Sequence, residues 1–204
     1  MSRHTISLVV STLLAMTSSV LAQEGPNKPE AKPVTVETKT TAILVLDLSA
    51  RCHDQKEICS KLMPAVGEFL ERARAAALPI IYTVSARAKG TPLGEVATPL
   101  KRRENEPVLY PDAFDKFHGG ELQDILKQKG IKRLMILGSS TNVAVLYTAT
   151  AAARMYEYEV VIPMDGMNAR IDYEQEYTFH QFTVLASGAN KRFQFTKLGM
   201  ISFK

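Results

Sequence analysis

Ala42-Ile43-Leu44-Val45-Leu46 is an unbroken apolar run that ends on Asp47. A strand with one wet face alternates apolar and polar side chains. A run without alternation therefore predicts a strand covered on both faces, as in a parallel sheet flanked by helices. The remaining segments fit that frame. Leu62, Val66, Phe69, Leu70 and Ala73 line one face of a helix predicted over 62–77, closed by Pro79, and Ile80 to Val84 is the next strand. Beyond a long polar loop, 86–107, helices are predicted over 121–129, 142–156 and 172–186, alternating with strands at 134–137, 160–162 and 193–196. Strands alternating with helices predict an α/β domain, a three-layer sandwich around a mostly parallel central sheet.

A chain of 204 residues supports one such domain. Residues 1–22 carry Arg3 but no acid, then an apolar stretch and small residues around Val20 and Ala22, the pattern of a cleavable secretory signal. The stretch is too short for a membrane-spanning helix, and no later segment is apolar enough for one. Residues 23–40, with Pro26, Pro29 and Pro33 among charges, read as a flexible, solvated leader, and 41–204 as the folded domain. Export predicts a secreted or periplasmic protein whose two cysteines meet an oxidising compartment. A local Cys52–Cys59 disulfide is the first expectation, and a reactive Cys52 thiol is the alternative.

The charge balance, 25 Lys+Arg against 21 Asp+Glu, is spread along the chain. Its densest cluster, Lys101-Arg102-Arg103, is followed by Glu104 and Glu106, so nucleic-acid binding finds no support. His53, His118 and His180 are isolated, and neither a metal nor another cofactor is expected. His180 lies four residues after Glu176, a spacing that predicts a surface ion pair. The helix over 142–156 is apolar nearly all round and rich in alanine, so it must be covered by the sheet and by a second surface. That surface is another subunit of a homo-oligomer, the long loop, or the C-terminal helix.

In open α/β sheets ligands sit beyond the carboxyl ends of the strands, where strand order reverses. The residues delivered there are Asp47, Ser85, the turn Gly138-Ser139-Ser140-Thr141, and Asp165. An acid at the end of a buried strand loses solvent, which raises its pKa towards the range of a general acid or base; it can equally hold a backbone amide. Ser140 or Thr141 can cap the helix that follows, and amides of that turn can face a carbonyl oxygen. Acting as a nucleophile would require a histidine partner, for which the spacing offers none.

Together, Ala42 to Asp47, Asp115-Lys116-Phe117-His118-Gly119-Gly120-Glu121-Leu122, Gly130-Ile131, Leu137 to Val145 with Thr148-Ala149, and Val160 to Gly166 resemble the isochorismatase-like superfamily, also called the cysteine hydrolases. The resemblance runs from Thr41 to Gly166 and implies the family's Rossmann-like fold. Amide-hydrolysing members use an aspartate after the first strand, a lysine ahead of the aromatic-Gly segment, and a cysteine in the helix after the Gly-x-x-Thr turn. The resemblance puts the aspartate on Asp47. It puts the cysteine on Ala144, six residues after Gly138, and the lysine on Pro111, six residues before Phe117, with Lys116 expected to point elsewhere. Asp47 is then a lone acid, and a thiol or ammonium in contact with it would make the cysteine-free proposal wrong.

A methyl group cannot form a thioester, so cysteine amidase chemistry is not expected. Ser85-Ala86-Arg87-Ala88 also lacks the Asp-x-His metal pattern of the nicotinamidases. The isochorismatase branch resembles this chain in lacking the cysteine, and its members protonate a vinyl ether from the aspartate. Three readings follow: a small-molecule hydrolase using Asp47 as acid or base, a non-catalytic binder or scaffold on the same fold, and a hydrolase with Cys52 as nucleophile.

Overall fold

A computed structural model describes residues 28–204. The expected signal segment and the first part of the leader lie outside the described residues. The elements in chain order are β1 (Val34–Val36), β2 (Thr41–Leu46), α1 (Met63–Ala75), β3 (Ile80–Thr83), β4 (Val108–Leu109), α2 (Glu121–Gln128), β5 (Arg133–Ser139), α3 (Leu146–Arg154), β6 (Glu159–Pro163), β7 (Met167–Asn168), α4 (Asp172–Val184), β8 (Phe193–Thr196) and β9 (Ile201–Phe203).

The main sheet runs β4-β3-β2-β5-β6-β8, with β7 added beside β5, and its strand pairs are parallel. The apolar run in β2 divides between the two faces. Ala42, Leu44 and Leu46 pack with Leu122 and Leu126 of α2, the alanines of α3, and Phe179 and Phe182 of α4. Ile43 and Val45 pack with Val66, Phe69 and Leu70 of α1. This is the three-layer sandwich, and it explains why β2 shows no polar alternation.

Part of the segment read as leader is structured. Val34 and Val36 are buried against the α1 face, and β1 pairs in parallel with β9. The alternation Val34-Thr35-Val36 suits such a half-covered strand, but three residues among prolines and charges are too short a pattern to stand out. The helix expected from Asn142 starts instead as a π-helical turn, Thr141–Val145, that leads into α3. Its second surface comes from the chain itself: α4 and the turn Ala189–Arg192 pack over the same alanine-rich region. The loop over 86–107 is tied down through Ala50 N–H to Glu95 O (2.8 Å) and Ala97 N–H to Leu48 O (3.1 Å). Its far end is held by Arg74, whose guanidinium meets Glu106 at 2.7 Å in the interior.

Candidate functional site

The chain enters the main sheet at β2, continues outward to β3 and β4, then crosses to β5 and builds β6 and β8 on the other side. β2 and β5 are therefore neighbours whose connections leave in opposite directions, which opens a crevice at their carboxyl ends. Leu46 is in register with Gly138 there, and the backbones approach so closely that a Cβ on Gly138 would lie 2.2 Å from Leu46 O. Gly138 also has a φ of +139°, so glycine is needed for space and for conformation. This contact brings Asp47, next after β2, beside the Ser139-Ser140 turn that leaves β5.

Asp47 takes a left-handed φ of 55° and donates its amide to Thr83 O at 2.9 Å. Its carboxylate is not alone. Lys116 Nζ lies 3.0 Å from Oδ1 and 2.9 Å from Oδ2, and the lysine side chain is almost wholly buried. This corrects the expectation of a lone acid with an empty lysine position: an ammonium touches Asp47, the observation set against the cysteine-free proposal, which keeps as its support the methyl side chain of Ala144 in the cavity wall. Pro111 does not line the cavity of Asp47; it lines a recess with Tyr110, His118, Leu122 and Lys116 itself. Counting residues locates a backbone position, whereas a four-carbon stem lets the ammonium arrive from a different one. The segment before α2 aims it: Lys116 N–H donates to Thr148 Oγ1 (3.1 Å), Thr148 Oγ1 donates to Phe114 O (3.3 Å), and Phe114 stacks on Tyr147 of α3.

Burial pushes the Asp47 carboxyl up. The charge and hydrogen bond of Lys116, and the charge of Arg51, pull it back without cancelling the effect, so its pKa stands above the ordinary carboxylate value. Such a group can hold or release a proton closer to neutrality than a surface aspartate can.

The crevice is a cavity of about 370 Å³ lined by Asp47, Ser49, Arg51, Val84, Ser85, Leu93, Phe114, Ser139, Ser140 and Val143, with Ala144 in its wall. Asp47, Ser85 and two serines of the turn thus come together as the strand ends predict. Thr141 and Asp165 do not join them. The Thr141 hydroxyl faces Gln175, and Asp165 accepts the Leu198 amide at 2.8 Å beside a different cavity. Ser140 occupies the cap position of the π-helical turn without a side-chain cap bond. Its carbonyl instead accepts from Val143 and Val145 N–H, so those two amides are satisfied inside the turn. Ser139 Oγ is buried with no partner among the described residues.

Cys52 and Cys59 are joined in a disulfide with Cα atoms 5.3 Å apart, and both are buried. The pairing expectation holds, and the reading with Cys52 as nucleophile is overturned, because a disulfide sulfur is not a thiolate. The bridged loop also carries Ile58, whose carbonyl accepts Asn168 Nδ2 at 2.6 Å and so ties the loop to β7. His180 forms no pair with Glu176, which meets Lys28 instead, and His180 Nδ1 is buried without a partner among the described residues. Among those residues no three His, Cys, Asp or Glu side chains gather as a metal-ligand set.

Residues 41–190 match the family model described as the isochorismatase domain. The chain belongs to the isochorismatase family. Among relatives of this isochorismatase-family protein, a Verticillium dahliae protein described as the secreted isochorismatase effector Isc1 is 26% identical over 148 residues, covering 68% of this chain and 77% of the relative. An isochorismatase family protein from Desulfovibrio vulgaris superposes with a TM-score of 0.67 at 20% identity, covering 78% of this chain and 95% of the other. The N-carbamoylsarcosine amidase of Thermoplasma acidophilum gives 0.67 at 21% identity, with 78% and 96% covered. At these identities the two structures establish the shared fold.

Several members of the site were not assigned from the sequence. Ser49, Arg51, Val84, Leu93 and Phe114 belong to the cavity wall, and none was singled out by a motif. The usable signal for Arg51 is its position four residues beyond Asp47, immediately before the disulfide-bridged loop.

Proposed function

We propose that this isochorismatase-family chain is an exported hydrolase of a small molecule that works by acid–base chemistry at Asp47, without a cysteine nucleophile. The observation that carries the reading is the Asp47–Lys116 pair at a cavity whose wall includes Ala144, the residue on which the resemblance puts the family cysteine. The reading no longer rests on a lone acid. It rests on an acid kept above its ordinary pKa with an ammonium beside it.

The pair suits a bond that breaks after protonation, such as a vinyl ether. The Asp47 carboxyl delivers its proton to the terminal vinyl carbon, and the cation that forms at the ether carbon is stabilised by the carboxylate left behind. Water then adds to that carbon, and the hemiketal expels the alcohol, leaving a carbonyl compound and returning the proton to Asp47. One water is consumed overall. Lys116 holds the carboxylate in one orientation throughout. The disulfide, the signal-like start of the chain and the description of the Verticillium relative as secreted support export.

The test is a screen of vinyl ethers, esters and amides on the wild type and on Asp47→Asn. Turnover by the wild type that is abolished by Asp47→Asn and unaffected by iodoacetamide supports the reading. Turnover that survives Asp47→Asn overturns it, as does binding of small molecules with no turnover of any of them, which would identify a binding protein.

A further inference from the structure

We infer that the Cys52–Cys59 disulfide is a redox switch for the cavity. With the bridge formed, the two sides of the crevice are braced against each other; with two thiols in its place, the fold stands but the site is loose. The inference rests on the cavity being the substrate site, and adds that the site is completed only when the chain folds in an oxidising compartment.

One side of the crevice is the exit of β2, with Asp47, Ser49 and Arg51, and the other is the exit of β5, with Ser139, Ser140 and Ala144. Leu46 and Gly138 join the two at the strand ends, and each side beyond that point is stitched to different surroundings. On the β2 side, the turn Ala50–His53 is bound to the long loop that carries Leu93. Ala50 N–H donates to Glu95 O at 2.8 Å, Ser49 and Val96 form an isolated antiparallel bridge, and Thr98 N–H donates to His53 Nε2 at 3.1 Å. On the β5 side, the turn Ile58–Leu62 is bound to β7: Asn168 Nδ2 donates to Ile58 O at 2.6 Å, and Asn168 is in register with Ser139 of the cavity wall. The disulfide joins the first turn to the second. Cys52 follows Arg51 directly and Cys59 follows Ile58 directly, so the bond runs from one side of the crevice to the other.

The other ties between the two turns are weak. The intervening residues 54–57 are exposed or partly exposed, and their bonds are local, such as Lys56 N–H to Asp54 Oδ1 and Glu57 N–H to Asp54 O. Arg51 and Glu57 approach to 3.9 Å with both side chains more than two-fifths exposed, a pairing that contributes little. A segment held by few exposed bonds opens locally at small cost. The main sheet, by contrast, is laddered through β3, β2, β5 and β6 without either sulfur. Cys52 and Cys59 are both buried, out of reach of a reductant in the folded protein, so the state of the switch is set as the chain folds. Closing it takes two electrons and two protons from the thiols, which pass to a disulfide oxidant that is itself reduced to two thiols. A reducing compartment offers no such oxidant, so the cavity stays unfinished until export.

Hydrogen exchange read by mass spectrometry tests this on three proteins: the oxidised wild type, the wild type unfolded, reduced and refolded with the thiol reductant kept present, and Cys52→Ser/Cys59→Ser. The expected result for the last two is a folded protein whose amides in 49–60, 94–98, 138–140 and 166–168 exchange at least about tenfold faster than in the oxidised wild type, with a smaller change in β3 and β6. Arg51 gives a second reading, because its charge is one of the influences lowering the Asp47 pKa. Followed by NMR, Arg51→Gln should raise that pKa in the oxidised protein and leave it unchanged in the reduced one. Faster exchange confined to 52–59, an equal increase throughout the chain, a reduced chain that does not fold, or an Arg51→Gln effect equal in the two states overturns the inference. None of these readouts needs turnover. A switch found in a protein that hydrolyses nothing refutes the proposed reaction alone, and a hydrolase equally active with thiols at both positions refutes the switch alone.

Discussion

Replacing Lys116 by methionine removes the ammonium while nearly preserving the side-chain volume, so it isolates the charge. The lysine side chain is about 2% exposed and the Asp47 side chain about 20%. Taking one partner from a buried pair costs about 3–5 kcal/mol, because the other charge is left unpaired in a poor solvent. The residual exposure of Asp47 and the nearby charge of Arg51 place the expected loss at the low end, about 3 kcal/mol at neutral pH. For a domain of this size that is a fall in Tm of roughly 6–12 °C.

The pH dependence gives the sharper check. In the wild type the folded Asp47 already binds a proton more readily than the unfolded chain does, because its pKa is raised above 3.8. A group shifted in that direction gives its full contribution below the unfolded pKa, and the contribution is lost as pH rises through the folded one. Lys116→Met removes the main force holding the value down, so the decline must continue to higher pH and go deeper. The destabilisation should therefore be smaller near pH 4 and larger near pH 8, the difference being about 1.4 kcal/mol for each unit of further upward shift. Urea unfolding of wild type, Lys116→Met, Asp47→Asn and the double variant across that range measures it. A coupling energy below about 0.5 kcal/mol, or a Lys116→Met penalty independent of pH, would refute the reasoning.

Two further outcomes concern the frame around the site. The Cys52–Cys59 bridge closes a loop of sequence separation 7, and chain entropy assigns such a bridge about 2.5 kcal/mol. The double alanine variant should unfold earlier in urea by that amount, and mass spectrometry of the unreduced native protein treated with iodoacetamide should find no cysteine adduct. Burial pushes Glu106 up, but hydrogen bonds from Arg74 and the Arg103 amide outweigh it and hold its carboxyl below the usual range. Such a group stabilises the fold above its unfolded pKa and loses that contribution as pH falls. Glu106→Gln should therefore cost about 1.5–3 kcal/mol at neutral pH, the worth of hydrogen bonds to a charged group, because Arg74 keeps its ion pair with Glu71 at 2.7 Å. The gap from wild type in urea unfolding should close in acid.

The layers of this fold were legible because they rest on patterns that a single sequence displays. An apolar run without alternation has only covered geometries open to it, and β2 shows both faces used. The two-residue strands β4 and β7 and the short β1–β9 ribbon were not legible, since their positions depend on neighbours far along the chain. The same division holds within the site. Asp47, Ser85 and the Ser139-Ser140 turn sit at strand ends, so their meeting follows from topology. Lys116 does not sit at a strand end.

The lysine shows what position counting leaves out. A register argument assumes that a chemical group is supplied from one backbone position, which holds for a short side chain such as that of cysteine or alanine. It fails for lysine, whose charge lies far from its Cα and whose direction is set by what the backbone on either side is bonded to. Here the deciding bonds are the one that Lys116 N–H donates to Thr148 Oγ1 and the one that Thr148 Oγ1 donates to Phe114 O, with Thr148 on a helix 32 residues away from Lys116 in sequence. The pattern therefore names Ala144, which does line the cavity, and misplaces the ammonium. Rescue of a weakened pair tests this directly: in a Lys116→Met background, which keeps the side chain that stands between the Pro111 recess and Asp47, a lysine at Pro111 should fail to restore the pH profile of Asp47, because that backbone position lines the recess beside Tyr110 and His118 and not the cavity of the acid. Restoration by Pro111→Lys would mean that the two backbone positions are interchangeable and that the Thr148 clamp does not aim the charge.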